Sequence, residues 1–172
     1  MTQLVKEGFS ELISNLKQVL GNENVLSSED DLKFYSSDVF KEAMLASLVI
    51  VPTNTNQLSQ AIEISTRENY CVIPRGGGLS YTDSYLPKKN NSIIVDMQKL
   101  NNIIEINEDD MFVVVEAGCT WDYLYKVLKS KNLRTPYFGA LSGLYSTVGG
   151  AMSQNSIFFG SGIYGSAADQ CL

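Results

Sequence analysis

The 172-residue chain is 44% hydrophobic and 19% charged, the balance of a soluble globular protein with core enough for one domain or two small lobes. Its net charge of −6 gives no basic footprint for nucleic acid or an anionic membrane. There is no histidine, so the commonest general base and metal ligand is missing, and with it every Ser-His or Cys-His nucleophile system.

Three cysteines, Cys71, Cys119 and Cys171, are widely spaced, odd in number and form no CxxC pair. They read as thiols in a reducing compartment, with neither a disulfide framework nor a metal site. No signal peptide is evident, and the longest apolar run, residues 43–51, is too short to span a bilayer. The expected location is cytoplasmic.

In chain order, Val5, Phe9, Leu12, Ile13, Leu16, Val19 and Leu20 recur at helical spacing, with Gly21 as the stop. Ser28 before Glu29, Asp30 and Asp31 reads as the N-cap of a short helix with acids at its positive end. Leu48, Val49, Ile50 and Val51 form a buried strand stopped by Pro52. Asn54 with Gln57 resembles a capping box, opening a helix that Asn69 closes in the left-handed region. Cys71, Val72 and Ile73 are the next strand, which Pro74 should end because it has no N–H for a ladder.

That βαβ arrangement places Arg75, Gly76, Gly77, Gly78, Leu79 and Ser80 at a strand's carboxyl end, where ligands of open α/β sheets bind. Glycines with free φ and no Cβ can converge their N–H groups on an anion, and Arg75 and Ser80 add donors. An isolated glycine triplet also reads as a plain surface turn. Neither the dinucleotide fingerprint nor the P-loop fits: Tyr81 stands where the third glycine belongs, and no Lys-Ser/Thr pair follows.

Residues 92–96 are a third strand, and residues 103–106 and 112–116 a hairpin. Thr120 caps a further helix, with Trp121, Leu124, Val127 and Leu128 facing the core and Asn132 as its stop. Residues 138–165 are dense in glycine and hydroxyls yet carry Leu141, Leu144, Tyr145, Val148, Met152, Ile157, Phe158 and Phe159. A solvated linker would not hold those apolar residues, so the stretch reads as ordered and ligand-lining.

Pro74-Arg75-Gly76-Gly77-Gly78-Leu79-Ser80, then Ser146-Thr147-Val148-Gly149-Gly150-Ala151-Met152-Ser153-Gln154-Asn155-Ser156 and Tyr164-Gly165-Ser166-Ala167-Ala168-Asp169, resemble the FAD-binding domain of the vanillyl-alcohol oxidase / p-cresol methylhydroxylase (PCMH-type) superfamily. Within it the likeness is to the glycolate oxidase subunit and D-lactate dehydrogenase branch. Tyr35-Ser36-Ser37-Asp38, Val51-Pro52 and Glu116-Ala117-Gly118-Cys119-Thr120-Trp121 also fit. The family often has Thr where Leu79 stands and Gly where Asp83 stands.

The resemblance implies an α+β, PCMH-type FAD-binding fold of two α/β lobes with FAD extended between them, the second lobe incomplete. Residues 1–43 would be a helical lead-in, 44–101 the first lobe and 102–172 the second, truncated at its C-terminus. Pro74, Arg75, Gly76, Gly77, Gly78, Leu79 and Ser80 would hold the pyrophosphate. Ser142, Ser146, Thr147, Gly149, Gly150, Ser153 and Asn155 would run along the ribityl chain and flavin. Some relatives attach FAD through a histidine, which this chain lacks, so FAD is expected to be non-covalent.

The function implied is oxidation of a small 2-hydroxy acid, lactate- or glycolate-like, by hydride transfer to FAD, with the electron acceptor open. No residue nominates itself as catalytic, and the base is expected beyond Leu172. Alternatives in the same fold act on another alcohol, a sugar lactone or an ether lipid. A truncated, non-catalytic fragment is a further alternative, and an unpaired strand edge with poor solubility is expected of such a piece.

Overall fold

A computed structural model describes residues 3–171, with side chains from residue 8 onward except that of Ser142. The chain divides into two compact units. One comprises the residues up to Arg75 together with Ser80–Lys99, and the other Gly76–Leu79 with the residues from Leu100 onward.

The first unit is a four-stranded sheet with helices on both faces. Helix α1 (Gln3–Leu20) buries Leu12, Leu16 and Leu20, one stripe at four-residue spacing; the side chain of Val5 lies outside the described residues. Gly21 leaves α1 at φ 89°, where a Cβ would be strained. Strand β1 (Val25–Leu26) is only two residues long and had no sequence signal. Helix α2 (Glu29–Tyr35) starts on Ser28, whose hydroxyl accepts the Asp31 N–H at 3.2 Å.

After β2 (Leu48–Ile50), Asn54 caps α3 (Thr55–Arg67) by accepting the Gln57 N–H at 2.9 Å. Gln57 reaches back past Asn54 to the N–H and hydroxyl of Thr53, at 2.9 and 2.8 Å, so the box closes one residue early. Asn69 turns the chain at φ 59° into β3 (Cys71–Arg75), and β4 (Ser92–Asp96) follows. The order is β1-β2-β4-β3, with β2, β4 and β3 parallel and β1 antiparallel.

Strand β4 takes the centre because all five of its residues are buried, as a parallel strand covered on both faces requires. Its Ile93 and Val95 join Leu48, Ile50, Ala61 and the α1 leucines, while Ile94 packs with Ala46 and Val49 on the opposite face. Pro74 does not end β3, contrary to the expectation from sequence. The strand runs on to Arg75 because β3 is the sheet's edge and Pro74 is exposed there. An edge position tolerates the missing donor, and the Met97 N–H still reaches the Arg75 carbonyl at 2.9 Å.

The second unit opens with the antiparallel hairpin β5 (Ile103–Asn107) and β6 (Phe112–Val115), bulged between Ile103 and Glu105. Its turn is held by the Asn107 side chain, which accepts the Asp110 N–H at 2.8 Å. Helix α4 (Trp121–Ser130) starts on Thr120, capping Tyr123 N–H, and stops before Asn132 at φ 60°. Trp121, Leu124 and Leu128 form the core with Cys119, Tyr137 and Ala151. Trp121 meets Tyr137 edge to face, with ring centres 4.9 Å apart.

Two short helices, α5 (Val148–Ser153) and α6 (Ser161–Tyr164), lie in the glycine-rich stretch, which sequence reading left without helices. Gly149 and Gly150 each weaken a helix by about 1 kcal/mol relative to Ala. Tertiary contact overrides that preference: a Cβ on Gly149 would sit 2.6 Å from the Ala117 Cβ, and Thr147 caps the first turn.

Candidate functional site

In the second unit the glycine loop, Gly76–Leu79, lies against residues 145–147. A Cβ on Gly77 would fall 1.7 Å from the Tyr145 carbonyl oxygen, and one on Gly76 would fall 2.5 Å from Thr147 Oγ1. Only Gly78 of the three has a positive φ, at 69°. Two of the glycines are therefore required for close approach, not for the left-handed freedom that sequence reading invoked. Among the described residues the N–H groups of Gly77 and Leu79 have no acceptor. The backbone behind them is fixed, since Trp121 N–H donates to Ser146 O at 3.1 Å and Val148 N–H to Cys119 O at 2.8 Å.

The predicted hydroxyl and amide contacts in residues 142–155 already serve the chain itself. Thr147, 2% exposed, accepts the Gly150 N–H at 3.1 Å. Ser146 donates to Ala140 O at 3.0 Å and Ser153 to Gly149 O at 2.8 Å. Asn155, at φ 46°, accepts the Ala168 N–H at 3.0 Å. A hydroxyl so engaged keeps a lone pair for a ligand, and Asn155, whose oxygen holds Ala168, keeps a second lone pair and its amide donors. The side chain of Ser142 lies outside the described residues. Leu141 holds φ 51°, unusual for a bulky side chain. Ile157, Phe159 and Ile163 are largely exposed.

Pro74, Arg75 and Ser80 belong to the first unit. Pro74 is exposed, and Ser80 is buried in a hydroxyl cluster with Thr82 Oγ1 at 3.0 Å and Ser84 Oγ at 2.9 Å. Arg75 is 6% exposed, with its guanidinium over the rings of Phe34, Tyr35 and Tyr85 at 5.2, 4.9 and 5.2 Å. Tyr35 donates to Asp96 Oδ2 at 2.7 Å. Burial first, then that bond, raises the Tyr35 phenol far above its ordinary range. Burial also raises Tyr85, with the Arg75 charge opposing. Sequence reading missed this aromatic enclosure, because its rings come from positions 34, 35 and 85 with no local motif joining them.

Among the described residues no group of His, Cys, Asp or Glu is arranged to hold a metal ion, and no helix is long and apolar enough to cross a membrane.

Residues 46–172 match the family model described as FAD binding domain. The mitochondrial D-lactate dehydrogenase [cytochrome] of Kluyveromyces lactis is 31% identical over 159 residues, covering 87% of this chain and 27% of that protein. The glycolate oxidase subunit GlcD of Bacillus subtilis is 28% identical, over 82% of this chain and 30% of its own length. The chain thus spans less than a third of these relatives. Among solved structures, substrate-bound p-cresol methylhydroxylase aligns with TM-score 0.77 at 24% identity, over 91% of this chain and 31% of that one. Alkyldihydroxyacetonephosphate synthase aligns with TM-score 0.84 at 18% identity, over 93% and 32%. At those identities the likeness is one of fold, the PCMH-type FAD-binding fold.

Proposed function

Because the chain belongs to the FAD-binding domain family, matched over residues 46–172, we propose that it is the FAD-binding part of a flavin-dependent oxidoreductase acting on a small 2-hydroxy acid. The observation that carries the reading is the glycine loop. Gly76 and Gly77 carry no Cβ where the loop presses on residues 145–147, and Gly77 and Leu79 keep N–H donors without acceptors among the described residues. That donor set fits a pyrophosphate, whose oxygens accept from a concave run of backbone N–H groups.

In this reading the loop holds the pyrophosphate, with Pro74 and Ser80 flanking it in sequence. Ser142, Ser146, Thr147, Gly149, Gly150, Ser153 and Asn155 shape the backbone that faces the rest of the cofactor. FAD, when bound, supplies the hydride acceptor. The chain's own residues bind and orient it, and none of the described residues is given a proton-transfer role. Attachment is non-covalent, since there is no histidine to form the link and Cys119 is buried in the core. The three free thiols support a reducing, cytoplasmic location. The substrate class is supported by the names of the relatives, which act on D-lactate and glycolate.

The test is a visible spectrum of the purified protein with FAD, before and after acid precipitation. A flavin band near ~450 nm that moves to the supernatant is the expected result. A protein that stays colourless with FAD added overturns the cofactor reading. Anaerobic addition of D-lactate or glycolate should bleach the band, and a yellow protein that no 2-hydroxy acid bleaches refutes the substrate class.

A further inference from the structure

The first unit releases the chain at Arg75 and takes it back at Ser80, with Gly76–Leu79 as the excursion. Arg75 and Tyr85, one on each side of that excursion, are in contact, the guanidinium 5.2 Å from the Tyr85 ring centre. Phe34 and Tyr35 at the end of α2 complete the enclosure. Two separate segments, the end of α2 and the chain at Tyr85, are therefore gathered on one guanidinium at the base of the glycine loop.

The carboxyl end of β3 needs such a device. It is an edge strand, Pro74 has no donor to give, and its last backbone contact is the Met97 N–H on Arg75 O at 2.9 Å. The arginine is an expensive choice for mere filling, because a buried charge gains no more stability than a well-packed apolar residue of its size. None of the ion pairs among the described residues includes it. Asp96, its cross-strand neighbour, gives one oxygen to the Tyr35 hydroxyl and the other to the Gln98 N–H. Arg75 Nε is buried without an acceptor among the described residues. What faces the cation is aromatic π surface, which attracts it and fixes where it sits, together with a hydrogen bond to the Tyr85 hydroxyl.

We propose that Arg75 is a positioning residue: its guanidinium, caged by Phe34, Tyr35 and Tyr85, locks the carboxyl end of β3 where the chain enters the glycine loop, and does not contact the cofactor's phosphates. The locking of β3 stands on the geometry alone. Its consequence for FAD affinity rests on the function proposed above.

Hydrogen exchange on the cofactor-free chain tests the lock. In Arg75→Met, and to a smaller degree in Phe34→Leu, the Met97 amide should exchange at least ~10-fold faster, while amides in the middle of β4 keep their protection. Phe34 is 64% exposed, so its replacement spares the core. In Arg75→Ala, guanidinium at ~20 mM should restore protection where sodium chloride does not, because the rings bind the free cation. Wild-type exchange at Met97 in Phe34→Leu, or failure of guanidinium to rescue Arg75→Ala, overturns the cage. FAD titration across ionic strength separates the two roles of the arginine. Equal salt dependence in wild type and Arg75→Met is expected, and a shallower one in the variant would show a phosphate contact and sink the proposal. If wild type binds no FAD, the cofactor reading falls while the exchange result still decides the lock.

Discussion

Gly77→Ala isolates the steric demand of the glycine loop. Gly77 has no positive φ, so alanine suits its backbone and any cost comes from the added methyl. That methyl would lie 1.7 Å from the Tyr145 carbonyl oxygen and 2.6 Å from its carbon. Reaching an ordinary contact of 3.4 Å means doubling the first distance, and the obstacle is backbone, which has no rotamer to change. Its neighbours are tied down as well, Ser146 O by Trp121 N–H and Val148 N–H by Cys119 O. Overpacking costs about 1–3 kcal/mol, and a rigid backbone obstacle places this case near ~3 kcal/mol on the same scale. The single tryptophan, Trp121, sits in the core of the same unit, so its fluorescence during urea unfolding reads that unit. With a urea slope of ~1–3 kcal/mol/M the midpoint should fall by at least ~1 M. Gly162→Ala is the control, since a Cβ there meets nothing within 4 Å, and its midpoint should stay close to wild type. If Gly77→Ala unfolds at the same urea concentration as Gly162→Ala, the close-approach argument is wrong.

Thr147→Ala removes the cap on the Gly150 N–H and should cost about 1 kcal/mol by the same fluorescence assay. Gly76→Ala pushes on that same hydroxyl at 2.5 Å, so the two substitutions should be non-additive in a double-mutant cycle, and strict additivity would deny that they share an obstacle. Burial, with the Glu116 charge second, raises the Cys119 thiol from 9.0 to about 11. Between those values the unfolded chain has released a proton that the native chain keeps, so stability falls as pH rises from about 9 to about 11. This group has no effect on stability at lower pH. A thiol-disulfide reagent at mildly alkaline pH should accordingly label exposed Cys171 first and buried Cys119 last. Early labelling of Cys119, read by peptide mass, would contradict its place in the core.

Local chemistry was legible in the residues themselves. Ser28, Asn54 and Thr120 cap helices because a short polar side chain can reach an N–H two or three residues on, and Asn69 and Asn132 end them because asparagine tolerates positive φ. The ordered glycine segments carried the family likeness, and residues 46–172 match the FAD binding domain. What lies beyond a few residues was not legible. That β4 separates β2 from β3 follows from burial on both of its faces. Pro74 continues a strand only because that strand is an edge. The glycines of residues 149 and 150 enter a helix because Ala117 and Thr147 stand beside them. Arg75, which by sequence points at phosphate, is turned into rings from positions 34, 35 and 85. Capping and turn preferences are set by bonds within one turn of chain, so the sequence by itself determines them. Sheet order, close approach and the destination of a long charged side chain depend on which distant segments fold against it, and only the tertiary structure decides those.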